Sequence, residues 1–264
     1  MSLKSKTALM LAAMTLSGAA LAQAKAPEPD ITVTGNAGLY TDYRFRGFTQ
    51  TDYGLSFQGG FDVAHKSGFY FGNWNSNVLQ TLYTGASLEI DLYGGYKGSI
   101  TEDLGFDVGA IYYYYPKSGT NGLTKINNTE VYFGLTYAEF SAKLYYATSD
   151  YFKAAALIGA PRSTKGTTYV DLAYNKDFSG ILFGAHIGFL TVEENNQFTD
   201  VNGNPLSKSV ADYKVSVGTD VGNGFILTGA IVGTSKKAYF ATGQIGPLED
   251  AGKTSLVVSL SKTF

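Results

Sequence analysis

The chain of 264 residues has 32 glycines, 20 tyrosines, 17 phenylalanines, no cysteine and a formal charge of −2. Without cysteine there is no disulfide framework, no thiol nucleophile and no cysteine-based metal site, and without a basic excess there is no surface to neutralise nucleic-acid phosphates. So much tyrosine beside only 6 prolines is unusual for a soluble globular chain of this length.

Met1 to about Ala24 reads as a cleaved export signal. Lys4 and Lys6 supply the positive start, Thr7 to Leu16 the apolar run, and Ala22-Gln23-Ala24 a small-residue cleavage site, with cleavage after Ala22 the alternative. The apolar run is too short for a spanning helix, which needs about 20 residues. Residues 25–264 then form one domain, and nothing in them resembles a transmembrane helix. In lipid that leaves only a closed barrel, which alone satisfies every backbone N–H and C=O without helices.

Apolar and polar residues alternate through the rest of the chain, as strands with two opposite faces require. The alternation predicts strands at Asp30–Asp42, Gly54–His65, Gly68–Asn77, Ser87–Tyr96, Leu104–Tyr115 and Glu130–Tyr137. It continues through Phe140–Thr148, Thr167–Tyr174, Ile181–Val192, Ala211–Gly218, Phe225–Thr234 and Thr254–Phe264. Segments of roughly ten residues, about twelve of them, separated by turn residues, are the pattern of a transmembrane antiparallel up-and-down β-barrel. The connections sort themselves too. Those around Tyr43–Tyr53, Val78–Ala86, Pro116–Thr129, Ser149–Gly166, Glu193–Val210 and Ser235–Lys253 are long. Those between them, such as Lys66-Ser67, Ala138-Glu139, Asn175–Gly180 and Thr219–Gly224, are tight turns. Barrels place short turns in the periplasm and long loops outside, so the expected location is the bacterial outer membrane.

One face of each strand is apolar, as in Leu55, Phe57, Phe61 and Val63, or Phe183, Ala185, Ile187 and Phe189, and is assigned to lipid. Aromatic residues near strand ends, Tyr43, Phe45, Tyr112 to Tyr115, Tyr145, Tyr146 and Phe264, are expected in the interfacial girdles. The strand from Phe69 to Trp74 is too uniformly aromatic for its faces to be assigned. The opposite parity carries Asp62, Glu89, Asp91, Asp107, Glu130, Asp171 and Asp212 against Lys143 and Lys214, with His186 and, near the outer end, Arg44 and Arg46. Charges at bilayer depth persist where they pair or face water, so these are the expected pore-lining residues. They either set ion selectivity, with the arginines a local positive mark at the mouth, or pair across a narrow interior and hold it together.

The segment Thr41-Asp42-Tyr43-Arg44-Phe45-Arg46-Gly47, followed by Thr49-Gln50-Thr51, resembles the TorF family of proteobacterial outer-membrane proteins classed as porins. Phe57 to Asp62, Gly68-Phe69-Tyr70, Trp74 to Val78, Leu88 to Tyr96, Tyr112 to Pro116, and Tyr145-Tyr146 with Ser149 to Phe152 extend the resemblance over most of the mature chain. It implies an exported outer-membrane barrel and leaves the substrate open. Lys262 stands where many such barrels have an apolar or aromatic residue, although Leu256, Val258, Leu260 and Phe264 keep the terminal strand in phase.

Catalysis is not expected. The only histidines, His65 and His186, are far apart in strand order, no local motif joins a nucleophile to a base, and no metal site or cofactor is indicated. The expected function is a monomeric porin-like channel for passive diffusion of small hydrophilic solutes or ions. The expected partners are outer-membrane lipid and lipopolysaccharide, the barrel-assembly machinery engaging the strand that ends in Phe264, and the solutes themselves. The competing reading is a non-conducting barrel, its lumen filled with side chains, that acts through its outer loops; a soluble β-sandwich would not sort its loops by length.

Overall fold

The computed structural model describes residues 29–120, 124–153, 163–193, 207–236 and 250–264. The expected export signal lies outside them. Strands β1 (Ile31–Tyr40), β4 (Ser56–His65), β5 (Phe69–Asn77), β6 (Leu88–Ser99), β7 (Leu104–Tyr114) and β8 (Asn128–Tyr137) form half of the wall. The rest is β9 (Phe140–Ala147), β10 (Thr168–Phe178), β11 (Ile181–Thr191), β12 (Ser209–Asp220), β13 (Phe225–Thr234) and β14 (Ser255–Thr263). Each pairs antiparallel with its chain neighbour, and β1 pairs with both β4 and β14, which closes the barrel. Two further strands, β2 (Arg44–Phe45) and β3 (Phe48–Thr49), form a separate hairpin inside the first long loop.

The wall strands lie within a few residues of the sequence expectation. The first ends at Tyr40, short of Asp42, because the chain leaves the ladder there to enter the hairpin. Strand β10 runs on to Phe178, which shortens the expected Asn175–Gly180 turn to Ser179 and Gly180. The seam between β1 and β14 runs from Asn36 opposite Thr263 to Tyr40 opposite Ser259. Two backbone bonds, Phe264 N to Gly35 O at 2.8 Å and Gly35 N to Phe264 O at 3.2 Å, extend it to the last residue.

Period two holds around the wall. Phe57, Leu92, Phe133 and Val215 are exposed on the outside, whereas Glu89, Glu130 and Asp212 are buried on the inside. The same parity corrects the girdle assignment. Tyr112, Tyr114 and Tyr146 do face outward, but their neighbours Tyr113, Tyr115 and Tyr145 must point the other way and line the interior. The unassigned strand resolves likewise, with Phe69 and Phe71 outside and Tyr70 and Trp74 inside. Lys262 lies outside with its ammonium over the rings of Phe225 (4.8 Å) and Phe264 (5.5 Å).

Inside, tyrosines lie across glycines on neighbouring strands. Gly72 is directly opposite Tyr93, and a Cβ on Gly72 would stand 2.5 Å from the Tyr93 ring and 2.6 Å from Asp62 Oδ1. The missing side chain lets the ring lie flat on the wall while its hydroxyl donates to Asp62 Oδ1 at 2.6 Å. Gly109 takes Tyr132 in the same way. Gly72→Ala should therefore overpack this contact and destabilise the barrel by about 1–3 kcal/mol. Urea unfolding in detergent micelles should show a lower midpoint than an Ala substitution at Gly229, where an added Cβ meets nothing within 4 Å.

Candidate functional site

The first long loop folds into the barrel. Phe45 and Phe48 pair across a two-residue turn in which Arg46 and Gly47 both have positive φ, 47° and 81°, as the tight hairpin turn of type I′ requires. The turn packs against the far wall, where a Cβ on Gly47 would sit 2.5 Å from Thr234 Cγ2 and 2.6 Å from Asp212 Cβ. Only glycine fits both this backbone and this contact.

Side chains of Asp42, Arg44, Thr49 and Thr51 tie the loop down. Asp42 Oδ1 accepts from the hydroxyls of Thr49 (2.5 Å) and Thr51 (3.1 Å), and Asp42 Oδ2 pairs with Arg44 Nε. Arg44 Nη1 donates to the carbonyls of Gly47 (2.9 Å), Ala251 (3.2 Å) and Lys253 (3.1 Å), joining the hairpin to the loop before β14. Leu79 N donates to Gln50 O at 3.0 Å, joining it to the loop between β5 and β6. Tyr43 OH donates to Glu89 Oε1 at 2.5 Å, and Tyr115 OH to Glu89 Oε2 at 2.5 Å.

Arg46 is the far anchor. Its Nη2 lies 2.7 Å from Glu130 Oε2 and its Nη1 donates to Tyr151 Oη at 2.9 Å. The guanidinium carbon stands over the rings of Tyr169 (4.3 Å), Phe45 (4.8 Å), Tyr151 (5.3 Å) and Tyr145 (5.5 Å). Within about 6 Å of a ring centroid such contacts are attractive, more so when desolvated. The Arg46 and Glu130 side chains are only 4% and 1% exposed, so neither charge is left to water.

Around the hairpin an apolar core fills the outer end of the lumen, including Tyr43, Phe48, Tyr83, Ile126, Phe152, Leu190 and Val192. Tyr151 and Phe152 come from a short 3-10 turn in the loop after β9. Asp150 holds that loop, accepting from Ser163 Oγ (2.5 Å), Thr164 N (3.1 Å) and Lys153 Nζ (3.1 Å). The Ser163 hydroxyl, and then Lys153, keep the Asp150 carboxyl below its ordinary pKa. A depressed value means this tie is present at neutral pH and is lost only as pH falls through the acid range where Asp150 protonates.

Toward the end with the short turns the lumen becomes polar and more open. Lys143 Nζ donates to Asp107 Oδ2 at 2.8 Å, and Tyr70 OH to Asp107 Oδ1 at 2.6 Å. His186 lies between two carboxylates, with Nδ1 3.1 Å from Asp171 Oδ1 and Nε2 2.7 Å from Asp212 Oδ1. The Tyr169 hydroxyl, 3.2 Å from His186 Nε2, closes the same cluster. Lys214 pairs in register with His186 on the adjacent strand. Asp62 takes the Tyr93 hydroxyl, and Asp91, 6% exposed, has an Oδ1 without a hydrogen-bond partner among the described residues.

The structure thus brings some of the residues picked from sequence together and leaves others apart. Arg44 sits in the hairpin; Arg46 and Glu130 form its anchor; Asp107 with Lys143, and Asp171 with His186 and Asp212, form two lower clusters. Glu89, Asp91 and Asp62 line the β4 to β6 side, where Glu89 meets the root of the hairpin loop through Tyr43 and the other two stand apart. The arginines are not continuous with β1, since the chain has already turned inward. Sequence reasoning missed Tyr113, Tyr145 and Tyr169, which lumen parity would have found, and Tyr151 and Gly47, which lie off the ladder where no period applies. His65 stays apart, bonded through Nδ1 to Ser67.

Removing one partner of a buried ion pair costs about 3–5 kcal/mol, because the other charge is left uncompensated. Glu130→Ala should lower unfolding stability by that order, whereas Lys176→Ala, which breaks a solvent-screened pair with Glu139 at 2.8 Å, should leave the unfolding midpoint close to that of wild type. Urea denaturation of the two variants side by side checks this.

Known structures share this architecture. The KdgM porin superposes with a TM-score of 0.51 at 8% identity, over 88% of this chain and 99% of that one. Its complex with disordered oligogalacturonate gives the same figures, 0.51, 8%, 88% and 99%. The NanC porin gives 0.52 at 6% identity over 88% and 99%. At such identities the likeness is one of fold: a twelve-stranded porin-type barrel. No curated protein matches the sequence. The TorF resemblance stands on its motifs alone. Residues 23–264 match the model of the Gcw_chp family, described as "Bacterial protein of unknown function", and the chain belongs to that family.

Proposed function

We propose that the protein is a bacterial outer-membrane channel for passive diffusion of small hydrophilic solutes or ions, shut at its outer mouth by the Arg44–Thr49 hairpin. The observation that carries this reading is that the seal is a loop and not the wall. Leu190 and Val192 beside the hairpin are fully buried, whereas side chains below it keep access to solvent, 15% for Lys143, 17% for His186 and 25% for Asp171. A barrel filled for strength alone would bury both ends. Glu89 and Asp91 have no cationic partner among the described residues, which favours cations once the hairpin withdraws. The terminal strand, in phase to Phe264, is the segment that the assembly machinery would engage, and the exposed apolar face meets lipid and lipopolysaccharide.

The apolar core around the hairpin also supports a second reading, a barrel that never conducts and works through its outer loops. Planar-bilayer recording of the refolded protein, with a salt gradient, separates the two. Under the channel reading wild type opens rarely with a cation-leaning reversal potential. Replacing residues 44–49 by a short Gly/Ser linker then raises open probability by about tenfold or more, since each 1.4 kcal/mol of lost closure is a factor of ten. A hairpin-deleted barrel that stays folded and heat-modifiable yet silent would establish the second reading.

A further inference from the structure

We infer that the Arg46 pocket is a binding site for guanidinium-bearing solutes, occupied by the protein's own arginine while the hairpin is in place. The inference names a ligand class for the proposed channel and rests on that reading only where conductance is concerned.

The pocket and its occupant belong to different parts of the structure. Glu130 is on β8, Tyr145 on β9, Tyr169 on β10, and Tyr151 in the loop between β9 and β10, whereas Arg46 arrives on the hairpin turn. The acceptor does not depend on Arg46 for its position. Tyr113 OH donates to Glu130 Oε2 at 3.3 Å, and Asn128 Nδ2 to Glu130 Oε1 at 3.3 Å. Tyr169 is held by its own hydroxyl, which donates to Asp212 Oδ2 at 3.0 Å. With the hairpin withdrawn, the wall therefore still presents a carboxylate and the ring faces of Tyr145 and Tyr169, and the loop after β9 the ring and phenol oxygen of Tyr151.

That set matches a guanidinium better than an ammonium. A planar fork can send one nitrogen to Glu130 and another to Tyr151 while its face lies on Tyr169, whereas an ammonium is a compact point charge without a face to stack. The protein demonstrates the fit with Arg46, at 2.7 Å, 2.9 Å and 4.3 Å respectively. A free solute with the same head competes with Arg46 for the pocket. Since it binds only when Arg46 is out, it shifts the population toward the open form.

Trp74 provides a reporter independent of conduction. It is the only tryptophan in the chain, and its ring meets that of Tyr43, at the root of the hairpin, edge-on at 5.3 Å. A side chain tethered by a short segment has an effective concentration on the order of millimolar, so free arginine should act on wild type at millimolar levels or above. The experiment titrates detergent-refolded protein with L-arginine and with citrulline, its uncharged isostere, following Trp74 emission, calorimetric binding and bilayer conductance. Arginine should change the emission and raise open probability, and citrulline should do neither. Arg46→Gln, which vacates the pocket, should bind arginine at least about tenfold more tightly, and Glu130→Gln should abolish the response. Should Arg46→Gln fail to fold, Gly47→Val displaces the turn from Asp212 and Thr234 and leaves every pocket residue in place.

Arginine binding that moves Trp74 in a barrel that never conducts would sustain this inference and overturn the channel. Equal responses to arginine and citrulline, or no arginine binding by a folded, hairpin-displaced variant, would overturn the inference and leave the channel reading to its own test.

Discussion

A backbone in hydrocarbon has no water to bond, so each N–H and C=O in the wall must find its partner in a neighbouring strand. Everything else in this protein follows from closing that ladder. Closure requires β1 to serve both β4 and β14, and the chain meets the requirement up to its last residue, where Phe264 exchanges two backbone bonds with Gly35. Because the ladder holds side chains at period two, closure also separates two solvents with one wall. The outward parity is the exposed apolar face, and the inward parity is left to hold polar and ionised groups.

A cylinder of twelve strands has a narrow interior, and the inward side chains are accommodated by thinning the wall beneath them. Tyr93 over Gly72 and Tyr132 over Gly109 are the clearest cases. The rings lie flat and carry their hydroxyls sideways, Tyr93 to Asp62 on β4 and Tyr132 to the Tyr70 hydroxyl, which itself donates to Asp107, so aromatic bulk and charge satisfaction come from the same residues. This is why tyrosine, with an apolar body and a polar tip, is preferred here over phenylalanine.

The same chemistry receives the hairpin. Its arginine enters a pocket made by a glutamate and tyrosines of the wall together with Tyr151 of the loop after β9, and its glycine lets the turn touch the opposite side. The Thr41 to Gly47 motif and Thr49 to Thr51 thus belong neither to the wall nor to an exposed loop. They form an internal closure whose polar groups are matched by Asp42, Glu89, Glu130 and the carbonyls of Ala251 and Lys253. An element bound by side chains and a few backbone contacts, and not by the continuous ladder, is the part of such a barrel able to move without breaching the membrane seal.

The sequence by itself determined the wall. Strand positions, the sorting of long and short connections, and the inward parity of Asp62, Glu89, Asp107, Glu130 and Asp212 were legible because period two is a local property and lipid enforces it at each strand. Of the girdle aromatics that turned out to lie inside, Tyr113, Tyr115 and Tyr145 were misplaced by ignoring that rule, and Tyr43 and Phe45 because the chain leaves the ladder there for the hairpin. The tertiary structure alone decided where the first loop goes and which charges meet. Arg46 and Glu130 are 84 positions apart, and no periodicity relates a residue off the ladder to one on a strand across the lumen. Parity tells which side of the wall a side chain is on; only the closed cylinder brings opposite walls, and the loop between them, within hydrogen-bonding reach.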